Sequence, residues 1–318
     1  MTDQTTTTNR MTLGSIRSGP RPAPDRIFLA GVEKIGKSTF AAGAPSPIFV
    51  AAEDGIRNVL TPAGEPVPAF PEPETFDEAL AALRTLYAEE HPYRTVVVDT
   101  LDWVEPLIWA KLFREHGWAN IEEPGYGKGY VVALTEWRHL LQGLDALRAK
   151  RGMEVILLAH TQVKVFSNPT GPDYSRYVPA LSDRAANIVK AWADSNLFAI
   201  HEEFVKEVKG QRTGKGVSTG RRVVKTQRTA AWDAGNRWNL PPELPLCYAD
   251  YAAARAAGAP ADPEKLAEEA EVLVKALAPD KAKEKEIRAR VKACGKDAAK
   301  LAQAVDRLRT LVAEKEAE

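Results

Sequence analysis

The chain has 318 residues, 44% hydrophobic and 27% charged, enough for one substantial α/β domain with a smaller appendage. Its formal net charge of zero excludes a protein that coats nucleic acid through overall charge, although a local basic patch remains open. Two distant cysteines, Cys247 and Cys294, exclude a disulfide framework and a zinc module, and no apolar run approaches the ~20 residues that cross a bilayer.

Residues 1 to 24 are rich in Thr, Arg, Pro and Gly without hydrophobic period, which predicts a disordered arm. The polar stretch Met1 to Thr12 lacks the apolar centre of a signal peptide, so no membrane association and a cytoplasmic location are expected. From Asp25 onward, short apolar runs alternate with helical patterns. The runs are Arg26 to Ala30, Ile48 to Ala52, Thr95 to Asp99, Val155 to Ala159 and Asn196 to Ile200. Such alternation predicts a mainly parallel sheet with crossover helices. Helices are expected at Lys37 to Ala42, Thr75 to Glu90 and Val131 to Ala149.

After Ile200, Phe204 to Val208 and Arg221 to Thr226 read as antiparallel strands joined by the turn Gly210 to Gly220. This hairpin closes a core over 25–240. Residues 241–262, with Pro pairs and Ala-rich stretches, read as a linker. Charged helical segments follow near 263–278, 280–293 and 296–316, the last amphipathic through Leu301, Val305, Leu308 and Val312. These form either a small helical cap or a tail that recruits another protein.

Chemistry concentrates at strand ends. Gly31-Val32-Glu33-Lys34-Ile35-Gly36-Lys37-Ser38, followed by Thr39, fits the phosphate-loop pattern between a strand and a helix and predicts a nucleoside triphosphate site for ATP with Mg²⁺. Lys37 reaches the β and γ phosphates in this pattern, and the Ser38 hydroxyl ligates Mg²⁺. Asp99, at the tip of Thr95 to Asp99, is the expected carboxylate partner of that ion. Glu53 is the candidate base for hydrolysis, with Asp54 the rival at the same tip. His160, after Val155 to Ala159, is a candidate γ-phosphate sensor or a structural histidine.

Two loops are rich in glycine, cations and aromatics, the composition that suits unpaired nucleic acid. One spans Glu122 to Tyr130 with Tyr126, Lys128 and Tyr130; the other spans Val163 to Pro179 with Lys164, Phe166, Tyr174, Arg176 and Tyr177. Flexible lids over the nucleotide are the alternative. The hairpin carries Lys206, Lys209, Arg212, Lys215, Arg221, Arg222, Lys225 and Arg228 against a single acid, Glu207. It is either a basic patch or a solvated edge strand.

The order of phosphate loop, Glu-ending strand, Asp-ending strand, polar-tipped fourth strand and terminal hairpin resembles the RecA-like recombinases. It is most similar to phage-encoded, core-only RecA-like ATPases associated with single-strand annealing and recombination. The resemblance covers Asp25 to Leu240 and implies a RecA-like P-loop NTPase fold with a mainly parallel central sheet, a terminal β-hairpin and a small C-terminal helical region. It identifies Glu53 with the family's water-activating glutamate and Asp99 with its Mg²⁺-associated aspartate. His160 stands near the family's coupling glutamine, with Gln162 close by. The two loops correspond to its DNA-contacting loops. Val224-Lys225-Thr226-Gln227 resembles the segment whose basic residues reach a neighbouring subunit's phosphates, which makes Lys225 a catalytic candidate across an interface. Gln227 replaces a second basic residue there, with Arg228 as a substitute. The implied partners are single-stranded DNA and copies of the chain in a ring or filament. A ring helicase and an ATP-gated scaffold are the rival readings.

Overall fold

The first apolar run becomes β1 (Arg26–Gly31), which lies in the interior of the sheet, flanked on both sides by parallel strands. The computed structural model describes residues 11–16, 23–206, 215–258, 263–277, 287–289, 291–294 and 298–317. They belong to two compact units, Ala23–Gly258 and the remainder, Met1–Pro22 with Ala259–Glu318.

In the larger unit the strand order is β2 (Pro47–Ala51), β3 (Thr95–Asp99), β4 (Glu154–Phe166), β1, β6 (Ser195–Lys206), β7 (Lys215–Lys225) and β9 (Glu243–Pro245). The first five are parallel, and β7 and β9 add antiparallel to them. β5 (Tyr174–Pro179) pairs with β4, and β8 (Gly235–Asn236) with β6. The parallel strands are nearly uninterrupted apolar runs because both faces are covered, so alternation has no meaning there.

One face packs against α2 (Phe76–Ala88), α3 (Leu101–His116), α4 (Lys128–Arg151) and α5 (Asp183–Trp192), through Phe76, Leu83, Ile108, Trp137, Leu144 and Val189. The other packs against α1 (Lys37–Ala42) and α6 (Tyr248–Gly258), through Ile35, Phe40 and Tyr251. The Thr75 hydroxyl caps α2 by accepting from the Glu78 N–H at 3.2 Å, the role its position predicts. The α/β architecture and the parallel core therefore agree with the sequence pattern.

Four expectations change. Helices α3 and α5 stand where no helix was expected; Pro106 inside α3 and the brevity of α5 weaken the sequence signal. Val163 to Pro179 is no open loop, because β4 runs on to Phe166 and pairs with β5 from Phe166↔Tyr174 to Thr161↔Pro179. This ribbon leaves the sheet and exposes Val163 and Val165, so its apolar residues give no single buried face to read. In the hairpin, β6 is continuous from Ser195 and β7 begins at Lys215, with Lys206 opposite Lys215; the expected turn lies partly outside the described residues. Residues 241–258 are part of the core rather than a linker. β9 extends the sheet, and the Ala-rich stretch is α6, whose Tyr248, Tyr251 and Arg255 fall on one face at helical spacing.

That face is anchored at the N-terminal ends of the strands. The Tyr248 hydroxyl donates to Glu154 at 2.8 Å, Tyr251 meets Ser195 at 3.0 Å, and Arg255 pairs with Asp25 at 2.7 Å. Burial pushes the Glu154 carboxyl up to about 7, against the Tyr248 hydrogen bond that pulls it down. A carboxyl whose folded pKa lies above its unfolded value of 4.5 binds more protons when folded. Its contribution to stability is complete below that value and is lost as pH rises through about 7. Glu154→Gln keeps an acceptor for Tyr248 and removes the titration. Relative to wild type, it is expected to gain about 2 kcal/mol between pH 5 and 8. Denaturant midpoints across that range test this; an unchanged difference between the two proteins would refute it.

In the C-terminal unit, α7 (Pro263–Leu277) and α8 (Ala298–Ala317) form their own small core of Ala270, Val274, Leu301, Val305 and Leu308, with Val291. The apolar stripe of the last helix is thus spent on its neighbours. The expected arm lies largely outside the described residues, whose N-terminal part holds a short 3-10 turn at Leu13–Ser15. Among the described residues no helix is long and apolar enough to cross a membrane.

Candidate active site

Parallel pairing brings the C-terminal tips of the strands together. Gly31 lies opposite His160, and Ala51 opposite Asp99. Gly31 is required by the neighbouring strand, since a Cβ there would stand 2.8 Å from the Ala199 carbonyl oxygen. Gly36, at φ 108°, turns the loop into α1 in a conformation that other residues rarely adopt. Between these glycines the loop bends back over Lys37, whose ammonium donates to the carbonyls of Val32 at 3.1 Å and Gly31 at 3.3 Å. Burial lowers the Lys37 pKa, and the nearby Asp99 carboxylate opposes that shift.

The Ser38 hydroxyl donates to Asp99 Oδ2 at 2.6 Å. Burial raises the Asp99 carboxyl to about 6, which Ser38 alone does not offset. A buried carboxylate beside a hydroxyl, with no cationic side chain bonded to it among the described residues, is a donor set that suits Mg²⁺. Among the described residues no group of three His, Cys, Asp or Glu side chains gathers to hold a metal, so the remaining ligands would be phosphate oxygens and water.

Glu53 lies two residues beyond β2 and accepts a hydrogen bond from the Thr100 hydroxyl at 3.4 Å. Asp54 turns outward to an ion pair with Arg57 at 2.5 Å, which separates the two rival carboxylates. The His160 ring Nδ1 lies 2.8 Å from Asp102 Oδ2, and its backbone N–H donates to Oδ1 at 2.8 Å. That hydrogen bond raises the His160 pKa, with burial opposing it. Burial of Asp102 would raise its own pKa, but the bonds from His160 outweigh it and the net shift is downward. Glu33, Lys34, Gly36, Lys37, Ser38, Thr39, Glu53, Asp99, Asp102 and His160 all line one cavity of about 710 Å³, joined by Trp103 and Thr161.

Asp102 and Trp103 were not foreseen, and Arg222 was expected only as one cation of the hairpin's basic patch. The Asp102–His160 pair depends on β3 and β4 being neighbours, which no local spacing encodes. Arg222 donates to the Ile35 carbonyl at 3.2 Å and lies against Gly36, tying β7 to the phosphate loop of its own chain. Neither Arg222 nor Lys225 lines the cavity, and Lys225 is turned to other partners. Its ammonium pairs with Glu243 and lies 5.4 Å from the centre of the Trp232 ring.

The seven expected DNA-contacting residues divide. Tyr126 is entirely exposed at a tip between Gly125 and Gly127, and Lys128 opens α4. Tyr130 packs edge-on to Trp109 at 6.0 Å, and Lys164 pairs with Asp183 at 2.9 Å. Arg176 is a correction: it is 6% exposed, stacked on Phe166 at 5.2 Å and 3.7 Å from Asp233, so it braces the β4–β5 ribbon and is not available to phosphates. Phe166 also packs on Tyr174, and Tyr177 on Phe198, each at 5.2 Å.

The family comparison agrees with this arrangement, matching residues 23–238 to the AAA domain. No curated protein matches the chain. With a phosphate loop on a mostly parallel sheet and more than half of its length matched, the chain belongs to the AAA domain family of P-loop nucleotide-binding proteins.

Proposed function

We propose that the protein is an Mg²⁺-dependent ATPase that binds single-stranded DNA beside its nucleotide site, assembles with copies of itself, and assists annealing or strand exchange. The observation that carries the catalytic part is the arrival of Lys37, Ser38, Glu53, Asp99 and His160 on the walls of one cavity. Lys37 leaves the loop carbonyls for the β and γ phosphates, and the N–H groups at the start of α1 receive the others. Ser38 and Asp99 would hold Mg²⁺, which when bound supplies positive charge to the phosphoryl oxygens.

Glu53, oriented by Thr100, accepts the proton of the water whose oxygen attacks the γ phosphorus, as the bond to the bridging oxygen of ADP breaks. His160, whose pKa the Asp102 hydrogen bond raises, senses the γ phosphate and sits on the strand that continues to Gln162 and Lys164. In an assembly, Lys225 would leave Glu243 for the neighbour's γ phosphate.

The single-strand part of the reading is supported by the exposed Tyr126 and Lys128 and by Tyr130 and Lys164, which line a cavity beside the nucleotide cavity, a mixture of stackable rings and cations. The decisive experiment compares ATPase rates without DNA, with single strands and with duplex. Stimulation by single strands alone is expected; equal rates in all three would remove DNA from the reading and leave the ATPase. Lys128→Ala with Lys164→Ala should flatten the salt dependence of single-strand binding by about 0.7 per lost phosphate contact while sparing nucleotide affinity. Fluorescence anisotropy across a salt series measures the slope, and an unaltered slope would mean that these lysines touch no phosphate.

A further inference from the structure

Next to the nucleotide cavity, and sharing Ala180 as a wall with it, lies a second cavity of about 480 Å³. Its size falls within the range of small-ligand sites. Two rows of side chains build it. On α3, Asp102, Glu105 and Trp109 recur at three- and four-residue spacing and so share one stripe. On β4, His160, Gln162 and Lys164 alternate and so share one face. The first members of both rows, Asp102 and His160, bond to each other on the wall of the nucleotide cavity; the later members line the second cavity. Tyr130, Leu181, Ser182, Asp183 and Arg184 complete it.

The lining has distinct chemistry. Trp109 and Tyr130 offer aromatic surface, the exposed Arg184 and the half-buried Lys164, which a phosphate would share with its partner Asp183, offer positive charge, and Glu105 is a carboxylate only 4% exposed. Ser182 holds Glu105 in place, its N–H donating to Oε2 at 2.9 Å and its hydroxyl to Oε1 at 2.6 Å. Each oxygen retains a lone pair for one more donor. A ligand that suits this site is flat, apolar on its faces, carries an N–H₂ group on its edge and is attached to phosphate.

We propose that this cavity receives one unstacked nucleobase bearing an exocyclic amino group, from a single strand whose phosphates pass Lys164 and Arg184. The inference rests on the single-strand reading above and adds a base preference to it. The amino group donates to Glu105, and the base faces Trp109 and Tyr130. Occupancy is felt at the nucleotide because both rows of side chains end on the Asp102–His160 pair.

Cytosine and thymine separate the prediction cleanly, since both stack weakly and differ in presenting an amino group or a carbonyl at the same ring position. Anisotropy of labelled oligo(dC) and oligo(dT) of about 15 nucleotides, with a non-hydrolysable ATP analogue, is expected to show oligo(dC) bound about fivefold more tightly, the worth of one added hydrogen bond. Glu105→Gln should erase most of this preference, because its carbonyl can still accept from the cytosine amino group while its amide gains a donor for thymine. The amide carbonyl keeps the Ser182 N–H bond and one amide hydrogen goes to the Ser182 hydroxyl. The other hydrogen is then left to donate to the thymine carbonyl. A purely structural role for Glu105 would weaken both ligands together. Equal affinities in the wild-type protein, a comparison that needs no variant, would overturn the base site while leaving single-strand binding intact. Binding of neither oligonucleotide would overturn the single-strand reading and this site with it.

Discussion

Lys37→Ala is expected to weaken ATP binding by roughly 10- to 150-fold, the equivalent of about 1.5–3 kcal/mol for a charge-assisted bond. Lys37 is buried and bonded to two carbonyls of its own loop, so the ammonium is held where the phosphates are expected to arrive. Exchanging those carbonyls for phosphate oxygens replaces neutral acceptors with charged ones, which is the source of the gain. Titration calorimetry with ATP and Mg²⁺ measures it. An unchanged dissociation constant would contradict the assignment of the loop. Thermal unfolding of the unliganded variant serves as the companion measurement, because the orphaned Gly31 and Val32 carbonyls make a small loss of stability expected in any case.

Glu53→Gln is expected to retain ATP and Mg²⁺ while hydrolysing about 10²-fold more slowly, or slower still. The amide keeps the shape and can still accept the Thr100 hydrogen bond, but it cannot take a proton from water. Asp54→Asn is the internal control. Asp54 is engaged with Arg57 outside the cavity walls, so its variant should turn over at the wild-type rate. A normal rate for Glu53→Gln together with a slow Asp54→Asn would show that the wrong carboxylate had been assigned.

How much was legible in the chain follows from how local each signal is. The phosphate loop is contiguous, and its chemistry is set by residue types at adjacent positions, so Gly36, Lys37 and Ser38 were readable directly. Thr95–Asp99 was readable to the residue because a buried parallel strand is an unbroken apolar run with a polar end. The ribbon beyond His160 was not. Val163 and Val165 do alternate with Gln162 and Lys164, but over too few residues and with the apolar side in solvent, so a paired segment looks like a loop. The Ala-rich residues of α6 misled for the opposite reason: composition suggested a linker, whereas Tyr251 and Arg255 find partners on segments more than two hundred residues earlier or some fifty earlier.

Sequence by itself determined the fold class, the nucleotide loop, the acidic strand tip and Glu53 as one of two candidates. Each of these depends on a short stretch and on the period of its own apolar residues. Tertiary structure alone set Glu53 on the cavity wall and Asp54 against Arg57, paired Asp102 with His160, withdrew Arg176 into the ribbon, and set Arg222 rather than Lys225 against its own phosphate loop. Those outcomes depend on which strands become neighbours and on which side chains burial forces to find a partner. Both are properties of the assembled sheet, because the free-energy cost of an unpaired buried charge arises only once distant segments have excluded water from it.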